Sequence, residues 1–249
     1  MRRFLLLTAP LILFAPISAA APAKSFPAAI AAALADPNRP ADNKEADAIR
    51  KPGETIAFAG VRPGMTVGEF YPGGGYFTRM LSDVVGPKGH VYGMENDRWK
   101  DAVKANDALL AEGKWKNVSM DSGPFGTVNF PKPLDVAWVT QNYHDLKIAK
   151  FGTVDTLAFD RAVYKALKPG GIYMIVDHQG APGLTGAQIE KLHRINRDQV
   201  VKEVTAAGFK LVGEGQFLRN SKDDHTKPIF DESIRGHTDQ YALKFMKPR

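Results

Sequence analysis

The sequence contains no cysteine among its 249 residues. This absence excludes disulfide bonds, thiolate metal ligands, a cysteine nucleophile and a lipid-modified N-terminal cysteine. Acidic and basic residues are nearly balanced, since 33 lysines and arginines accompany 27 aspartates and glutamates and leave a formal net charge of +6. That charge is small and dispersed, and no basic segment interleaved with aromatic residues is present. The composition therefore predicts no nucleic-acid partner.

The longest apolar run lies at the N-terminus. Arg2 and Arg3 precede the apolar residues 4–17, and small residues occupy positions 18–23. This is the three-part pattern of a secretory signal peptide, and the run is shorter than the roughly 20 residues that a membrane span needs. We therefore expect residues 1–23 to be cleaved on export, giving a periplasmic or secreted protein of a Gram-negative-type bacterium without stable membrane insertion. An uncleaved anchor and twin-arginine export are the alternatives.

The rest of the chain predicts two parts. Residues 24–60 predict an N-terminal helical extension, and strands alternate with helices in residues 61–249. Such alternation predicts an α/β fold, in which helices cover both faces of a mainly parallel sheet. The predicted strands are the short apolar runs at 66–71, 90–95, 118–120, 134–140, 172–177, 209–218 and 240–246.

The first predicted strand leads into a glycine-rich turn and then into an amphipathic helix. Glu69 ends the strand, and three glycines, 73–75, precede the helix. Glycines let a ligand approach the backbone closely, and the start of a helix offers free N–H groups. Glu95 ends the second strand, where a carboxylate can accept hydrogen bonds from both hydroxyls of a ribose. Together these features predict a cofactor that contains adenosine.

Two classes of adenosine cofactor suit such a turn. A nicotinamide site follows the pattern G-x-G-x-x-G, but Thr78 occupies the place of the third glycine. Glu69 would also repel the pyrophosphate of a nicotinamide cofactor. S-adenosylmethionine has no phosphate and carries a sulfonium and an ammonium group, which a carboxylate attracts by a few kcal/mol at a partly buried site. The residues favour S-adenosylmethionine.

The segment Val67–Thr78 resembles motif I of the class I S-adenosylmethionine-dependent methyltransferases. Residues 62–67, 72–78 and 141–146 are similar to a group of exported bacterial predicted methyltransferases, and the resemblance extends from about residue 36 to the C-terminus. It implies a Rossmann-like sheet of seven strands whose last strand, 240–246, is antiparallel. It also implies S-adenosylmethionine as cofactor and methyl transfer to a small-molecule acceptor.

By position, the resemblance also implies which residues bind the cofactor. The methionine part would meet the first strand and turn, the ribose would meet the second strand, and the adenine edge would meet the third. Tyr71 stands where many of these enzymes have the first glycine of the motif. The residues expected at the cofactor are Glu69, Tyr71, Gly73, Gly75, Glu95, Asp121, Ser122, Gln141 and Asn142.

Polar residues also follow the fourth and fifth strands, at the sheet edge where ligands bind in open α/β folds. We expect His144 to act as a general base, Asp145 to orient it and Tyr143 to position an acceptor. The alternative is a polar loop in which His144 is simply hydrogen-bonded. No metal ligand is predicted. The residues expected to bind the acceptor are Asp177, His178, His193 and Arg194.

A second class of function also fits the sequence. Export is awkward for a methyltransferase, because the charged cofactor is made in the cytoplasm and does not cross membranes unaided. A non-catalytic periplasmic ligand-binding protein on the same scaffold is therefore the alternative, which the fold alone does not exclude. Glu69 and Glu95 favour cofactor binding, whereas the signal sequence and Tyr71 favour the alternative. A nicotinamide oxidoreductase ranks third.

Overall fold

A computed structural model describes residues 25–152 and 154–249. The predicted signal peptide, residues 1–23, lies outside the described residues. Among the residues described, no helix is long and apolar enough to cross a membrane.

Seven strands form one sheet in the order β3-β2-β1-β4-β5-β7-β6. Strands β1 to β5 pair in parallel, and β7 is antiparallel to both of its neighbours, β5 and β6. The predicted Rossmann-like sheet with an antiparallel last strand is therefore confirmed. The strands are β1 Thr66–Phe70, β2 His90–Asn96, β3 Val118–Gly123, β4 Leu134–Thr140, β5 Leu167–His178, β6 Lys210–Gly215 and β7 Gln240–Met246.

Eight α-helices accompany the sheet in the described residues. Helix α7 begins with the capping box that the sequence indicates, in which the Thr185 side chain accepts from the Gln188 backbone and the Gln188 side chain accepts from the Thr185 backbone. The helices are α1 Ala28–Ala35, α2 Ala41–Arg50, α3 Pro52–Ala59, α4 Tyr76–Val85, α5 Lys100–Ala111, α6 Thr156–Ala166, α7 Gly186–Leu192 and α8 Arg197–Ala206.

The central strand β4 shows why the sheet has two buried faces. Successive side chains of a strand point to opposite faces. Val136 and Trp138 pack with Met80 of α4 on one face, whereas Ala137 and Val139 belong to the hydrophobic cluster on the other face. In a strand that is buried on both faces, apolar residues do not alternate with polar ones. This explains why the sequence of β4 is almost continuously apolar.

The N-terminal extension packs against the sheet domain. Ile30 of α1 and Ile56 of α3 are almost completely buried and belong to the same hydrophobic cluster as Met80. This packing brings the end of α2, at Arg50, over the first turn of α4, where its guanidinium lies 4.3 Å from the centroid of the Tyr76 ring. The extension therefore contributes a side chain to the edge of the sheet described next.

Candidate active site

A cavity of about 430 Å³ lies at the carboxyl ends of β1, β4 and β5. Polar groups from the strand ends form its base, and aromatic side chains from the following loops form much of its wall. It is lined by Arg50, Glu69, Tyr71, Pro72, Gly73, Gly74, Tyr76, Phe77, Trp99, Thr140, Gln141, Asn142, His144, Asp145, Phe151, His178, His193, Ile229 and Phe230.

The glycine turn between β1 and α4 forms one side of this cavity. Gly73 and Gly75 have φ of 56° and 75°, in the left-handed region that side chains disfavour. A Cβ at Gly75 would collide with the Leu109 side chain, so this glycine permits close packing of α4 on α5. A Cβ at Gly73 or Gly74 would have no neighbour within 4 Å. The backbone of these two residues is thus open to a ligand.

Glu69 is buried beneath the turn. Its carboxylate accepts a hydrogen bond from the hydroxyl of Thr78 at 2.6 Å. Burial raises the pKa of Glu69 to about 7, although the Thr78 hydroxyl and the Arg50 guanidinium oppose the rise. Thr78, at the place of the third glycine of a nicotinamide motif, therefore holds a carboxylate under the turn.

Glu95, at the end of β2, fixes the other side of the turn. One carboxylate oxygen accepts the Gly73 N–H at 3.0 Å, and the other accepts the Asn96 N–H at 2.9 Å. Burial raises the pKa of Glu95, and these two N–H groups act against the rise. Glu95 lines a separate cavity of about 120 Å³ together with Asp121 and Ser122 of β3. The residues expected at the ribose and adenine thus lie together.

Tyr71 occupies the first glycine place of the motif in a left-handed conformation, with φ of 56°. Its hydroxyl accepts a hydrogen bond from the Gly126 N–H at 3.2 Å, and its ring lies 4.8 Å from that of Phe125. Burial raises the pKa of the Tyr71 hydroxyl. The Tyr71 hydroxyl is thus hydrogen-bonded to the Gly126 backbone, and the Tyr71 side chain lines the cavity.

Gln141 and Asn142 line the cavity after β4, as expected. The Gln141 side chain accepts from the Arg50 guanidinium at 2.8 Å and donates to Gln240 at 3.0 Å. The Asn142 side chain donates to Asp145 at 2.9 Å. These amides hold neighbouring charged groups in fixed positions.

His144 is the centre of a buried polar cluster. Its Nδ1 lies 2.7 Å from Asp177 Oδ1, and its Nε2 lies 3.2 Å from both His193 Nδ1 and Asp145 Oδ1. Because a carboxylate only accepts hydrogen bonds, Nδ1 carries a proton. Asp177 also accepts the backbone N–H groups of His144 and His178, so it acts on the imidazole and makes no contact with the cavity. The structure therefore assigns Asp177 a positioning contact in place of the predicted acceptor contact.

Neighbouring carboxylates act on the charge of His144. Burial opposes ionisation of the imidazole, but the carboxylates of Asp177 and Asp145 outweigh it and raise the pKa of His144 to about 10. The ligand-free site therefore favours the protonated imidazole. The role of His144 as a general base stays a prediction.

His178 and His193 reach the cavity from different elements. His178 ends β5, and its Nδ1 lies 2.7 Å from the Thr238 hydroxyl. Burial, together with the charges of His144 and Arg194, lowers the pKa of His178 well below its ordinary value. His193 follows α7 with φ of 52°, and its ring packs edge-on against Phe230. Both line the cavity, and their contact with an acceptor stays a prediction.

Tyr143 and Arg194 are bonded within the protein core and do not line the cavity. Tyr143 is fully buried, and its hydroxyl donates to Asp160 at 2.8 Å on the opposite side of the turn from His144. Arg194 is fully buried and forms a bidentate pair with Asp223 at 2.8 and 3.1 Å. The predictions that Tyr143 positions an acceptor and that Arg194 binds one are therefore corrected, since both side chains are bonded within the core.

The sequence analysis missed several cavity residues. Arg50 belongs to the predicted extension, and no motif marks it. Trp99, Phe151 and Phe230 come from three loops and form an aromatic wall, with Trp99 and Phe151 rings 5.1 Å apart. Phe230 is 56% exposed and lines the cavity, and no motif in the sequence marks it.

The chain is similar in sequence to methyltransferases. The chain is 29% identical over 196 residues to the ubiquinone/menaquinone biosynthesis C-methyltransferase UbiE of Shewanella woodyi, covering 77% of this chain and 68% of that protein. A methyltransferase of the same name from Shewanella piezotolerans is also 29% identical, over 197 residues and the same shares of each chain. No protein-family model matches the chain.

Solved structures share the fold at lower identity. A SAM-dependent methyltransferase from Aquifex aeolicus superposes with a TM-score of 0.57 at 18% identity, covering 81% of this chain and 97% of that one. The chain has the fold of the class I S-adenosylmethionine-dependent methyltransferases. The two Shewanella relatives are methyltransferases by name, and the Aquifex structure is that of a SAM-dependent methyltransferase. Neither comparison supports the non-catalytic binding protein.

Proposed function

We propose that this protein transfers the methyl group of S-adenosylmethionine to a small acceptor bound in the 430 Å³ cavity. One observation carries the proposal. Glu69 and Glu95 end adjacent parallel strands and lie buried on either side of a glycine turn that has open space above Gly73 and Gly74. This arrangement suits a ligand that has cationic groups at one end and a ribose at the other.

The residues fit this cofactor better than a dinucleotide. Glu69 lines the cavity, and its deprotonated form attracts a sulfonium or ammonium group and repels a pyrophosphate. Glu95, Asp121 and Ser122 line the smaller cavity and supply acceptors for the hydroxyls of a ribose and the edge of an adenine. We assign the methionine part to the larger cavity and the adenosine part to the smaller one.

Arg50 is the residue that we assign to the carboxylate of the cofactor. Its guanidinium lines the cavity beside Gln141 and stacks on Tyr76 at the start of α4. A half-buried guanidinium held in this way pairs well with a carboxylate. Glu69 and Arg50 would then bind the ammonium and the carboxylate of the same amino-acid end.

The acceptor side of the cavity favours a planar, largely apolar molecule. Trp99, Phe151 and Phe230 offer ring faces and edges, and His178 and His193 offer polar contacts next to them. Aromatic rings pack favourably in offset or edge-on geometry. We propose an aromatic ring bearing an oxygen substituent as the acceptor, a chemistry that agrees with the quinone named for the Shewanella relatives.

In this arrangement the protein's contribution is positioning. The bound cofactor supplies an electrophilic methyl group, and the aromatic wall holds the acceptor in line with it. Orientation of this kind provides a large part of the rate in displacement reactions. The cluster of His144, Asp145 and His193 lines the cavity and offers polar contacts to an oxygen substituent of the acceptor.

We also propose that residues 1–23 direct export, which the N-terminal pattern supports. Exchange of Leu5 and Leu6 for arginine in the full chain is expected to keep the protein in the cytoplasmic fraction. An unchanged distribution between cytoplasmic and periplasmic fractions would contradict this proposal.

The methyl transfer is tested by incubating the purified protein with S-adenosylmethionine and a panel of phenols, catechols and hydroquinones. Mass spectrometry should detect S-adenosylhomocysteine together with a product that is heavier by one methylene. Trp99→Ala should reduce turnover of an aromatic acceptor without changing cofactor affinity, and Tyr92→Phe serves as a control away from the cavity. Turnover of aliphatic amines or alcohols in preference to every aromatic compound would contradict the proposed acceptor class.

A further inference from the structure

Three potential metal ligands converge at the acceptor end of the cavity. His144 and Asp145 belong to the turn after β4, and His193 follows α7. His144 Nε2, His193 Nδ1 and Asp145 Oδ1 form a triangle with sides of 3.2, 3.2 and 3.5 Å. No other group of this kind is present in residues 25–152 and 154–249.

The triangle has the dimensions of a coordination face. Metal-to-ligand distances for imidazole nitrogen and carboxylate oxygen are about 2.0–2.2 Å, which places neighbouring ligands of a tetrahedral ion about 3.3–3.6 Å apart. The three atoms are therefore already spaced to bind one ion without rearrangement of the backbone.

Asp145 provides the second, independent observation. The residue is 5% exposed, and its Oδ1 has no hydrogen-bond partner that meets the usual geometry. The ring nitrogens of His144 and His193 lie 3.2 and 3.5 Å away, at the distance of an ion pair. Burying a carboxylate oxygen without a well-formed hydrogen bond is costly, and a metal ion shared with the two imidazoles would compensate its charge.

The residues around the triangle hold two of the ligands in place. Asp177 binds His144 Nδ1 at 2.7 Å, which directs Nε2 toward the triangle, and Asn142 donates to the other oxygen of Asp145 at 2.9 Å. Metal-binding histidines usually have such a carboxylate behind them, and metal-binding carboxylates are usually hydrogen-bonded in turn.

We propose that His144, Asp145 and His193 bind a first-row divalent transition metal ion, Zn²⁺ or Fe²⁺. Two imidazoles and one carboxylate, without a thiolate, suit these ions and do not suit Mg²⁺ or Ca²⁺, which prefer oxygen ligands alone. The three residues line the cavity, so the remaining coordination positions face the acceptor. This inference reverses the sequence-based expectation that the protein has no metal ligand.

Metal binding and its use are separate claims. A metal ion at this position would bind an oxygen substituent of the acceptor, and that use depends on the proposed methyl transfer. Binding of the ion depends only on the three side chains and can be measured without cofactor or acceptor. Failure of one claim is thus distinguishable from failure of the other.

The test is calorimetric titration of Zn²⁺ into the untagged, chelator-treated protein. We expect one ion per chain. His193→Asn and Asp145→Asn should each weaken the affinity at least about 100-fold, and Asp177→Asn about 10–100-fold, as for a residue behind a ligand. Asparagine tolerates the left-handed conformation at position 193, so the first variant should fold, as circular dichroism can verify. His237→Asn, at an exposed histidine, is the control.

Titration with Co²⁺ gives a second readout. Imidazole and carboxylate coordination with low symmetry should produce visible absorption bands that vanish in His193→Asn and persist in His237→Asn. Zn²⁺ affinity that is equal in the wild-type protein, His193→Asn and Asp145→Asn would overturn the proposal. So would the absence of any binding by the folded wild-type protein.

Discussion

The Thr78 hydroxyl donates to the buried Glu69 carboxylate at 2.6 Å, across the turn that joins β1 to α4. A threonine that replaces the third glycine of a dinucleotide motif thus stabilises a negative charge under the position of the cofactor's amino-acid end. The pKa of Glu69 at about 7 makes this charge sensitive to pH in the physiological range.

Affinity for S-adenosylmethionine should therefore depend on pH. Glu69 attracts a cation only when it is deprotonated, so affinity should be highest above pH 7 and fall as the pH drops through the pKa of about 7. Thr78→Val removes the hydrogen bond that favours the carboxylate, which should move the midpoint of the loss to higher pH. Calorimetry between pH 5 and pH 9, roughly two units on either side of that pKa, measures both effects. A profile that is flat in the wild-type protein would contradict the role of Glu69.

Glu69 should also destabilise the ligand-free fold at high pH. Its folded-state pKa lies above its ordinary value, so the folded state holds its proton more tightly and its stability falls as the pH rises from 4.5 to about 7. Glutamine does not titrate, so the free energy of unfolding of Glu69→Gln should not fall over this pH range. The variant should therefore be more stable than the wild type above pH 7, by up to about 3 kcal/mol. Urea unfolding at pH 5 and pH 8, near the two ends of this range, provides the comparison. Equal stability differences at both pH values would contradict the prediction.

The core position of Tyr143 predicts a stability effect without a catalytic one. Tyr143→Phe removes a buried hydrogen bond to Asp160 and should lower the free energy of unfolding by about 1–3 kcal/mol. Cofactor affinity and turnover should stay unchanged, because the hydroxyl lies outside the cavity. The prediction would be contradicted if Tyr143→Phe unfolded at the same urea concentration as the wild type but had turnover reduced at least tenfold. Tyr143 would then have a role in the active site.

Arg50 should act on the amino-acid end of the cofactor alone. Arg50→Met keeps the length of the side chain and removes the charge, so affinity for S-adenosylmethionine should fall about tenfold or more. Methylthioadenosine, which lacks the amino-acid end, should bind the variant as well as it binds the wild type. Arg161→Met, at an exposed arginine of α6, is the matched control. Equal losses for both ligands would show that Arg50 shapes the cavity in general.

The sequence predicts the fold well because the spacing of apolar residues along the chain indicates which side chains are buried. The bounds of β4 agree with its apolar run, and α6 ends at Ala166, just before the Lys-Pro-Gly-Gly sequence at 168–171, which is typical of a helix end. Strand β5 begins earlier than predicted, at Leu167, because Gly170 and Gly171 form backbone hydrogen bonds with Lys247, directly after β7, instead of forming a free loop. Its glycines and proline hide this pairing in the sequence.

The site is predicted less completely, because the direction of a side chain depends on tertiary contacts. Tyr143 and His144 are neighbours on one turn, yet the first faces Asp160 in the core and the second faces the cavity. Arg194 pairs with Asp223, 29 residues away, which no local pattern reveals. Site residues that directly follow a strand can be predicted from the sequence. Contacts made by residues of distant loops cannot.

The central claim is that Glu69 and Glu95 frame a site for S-adenosylmethionine. Calorimetric titration of this compound into the purified protein tests it most directly, with NADH as the competing cofactor and Glu45→Gln as the control at an exposed acid. We predict micromolar binding that is lost in Glu95→Ala, is retained in Glu45→Gln and is absent for NADH. No binding of S-adenosylmethionine by the folded wild-type protein, or unchanged binding in Glu95→Ala, would contradict the account.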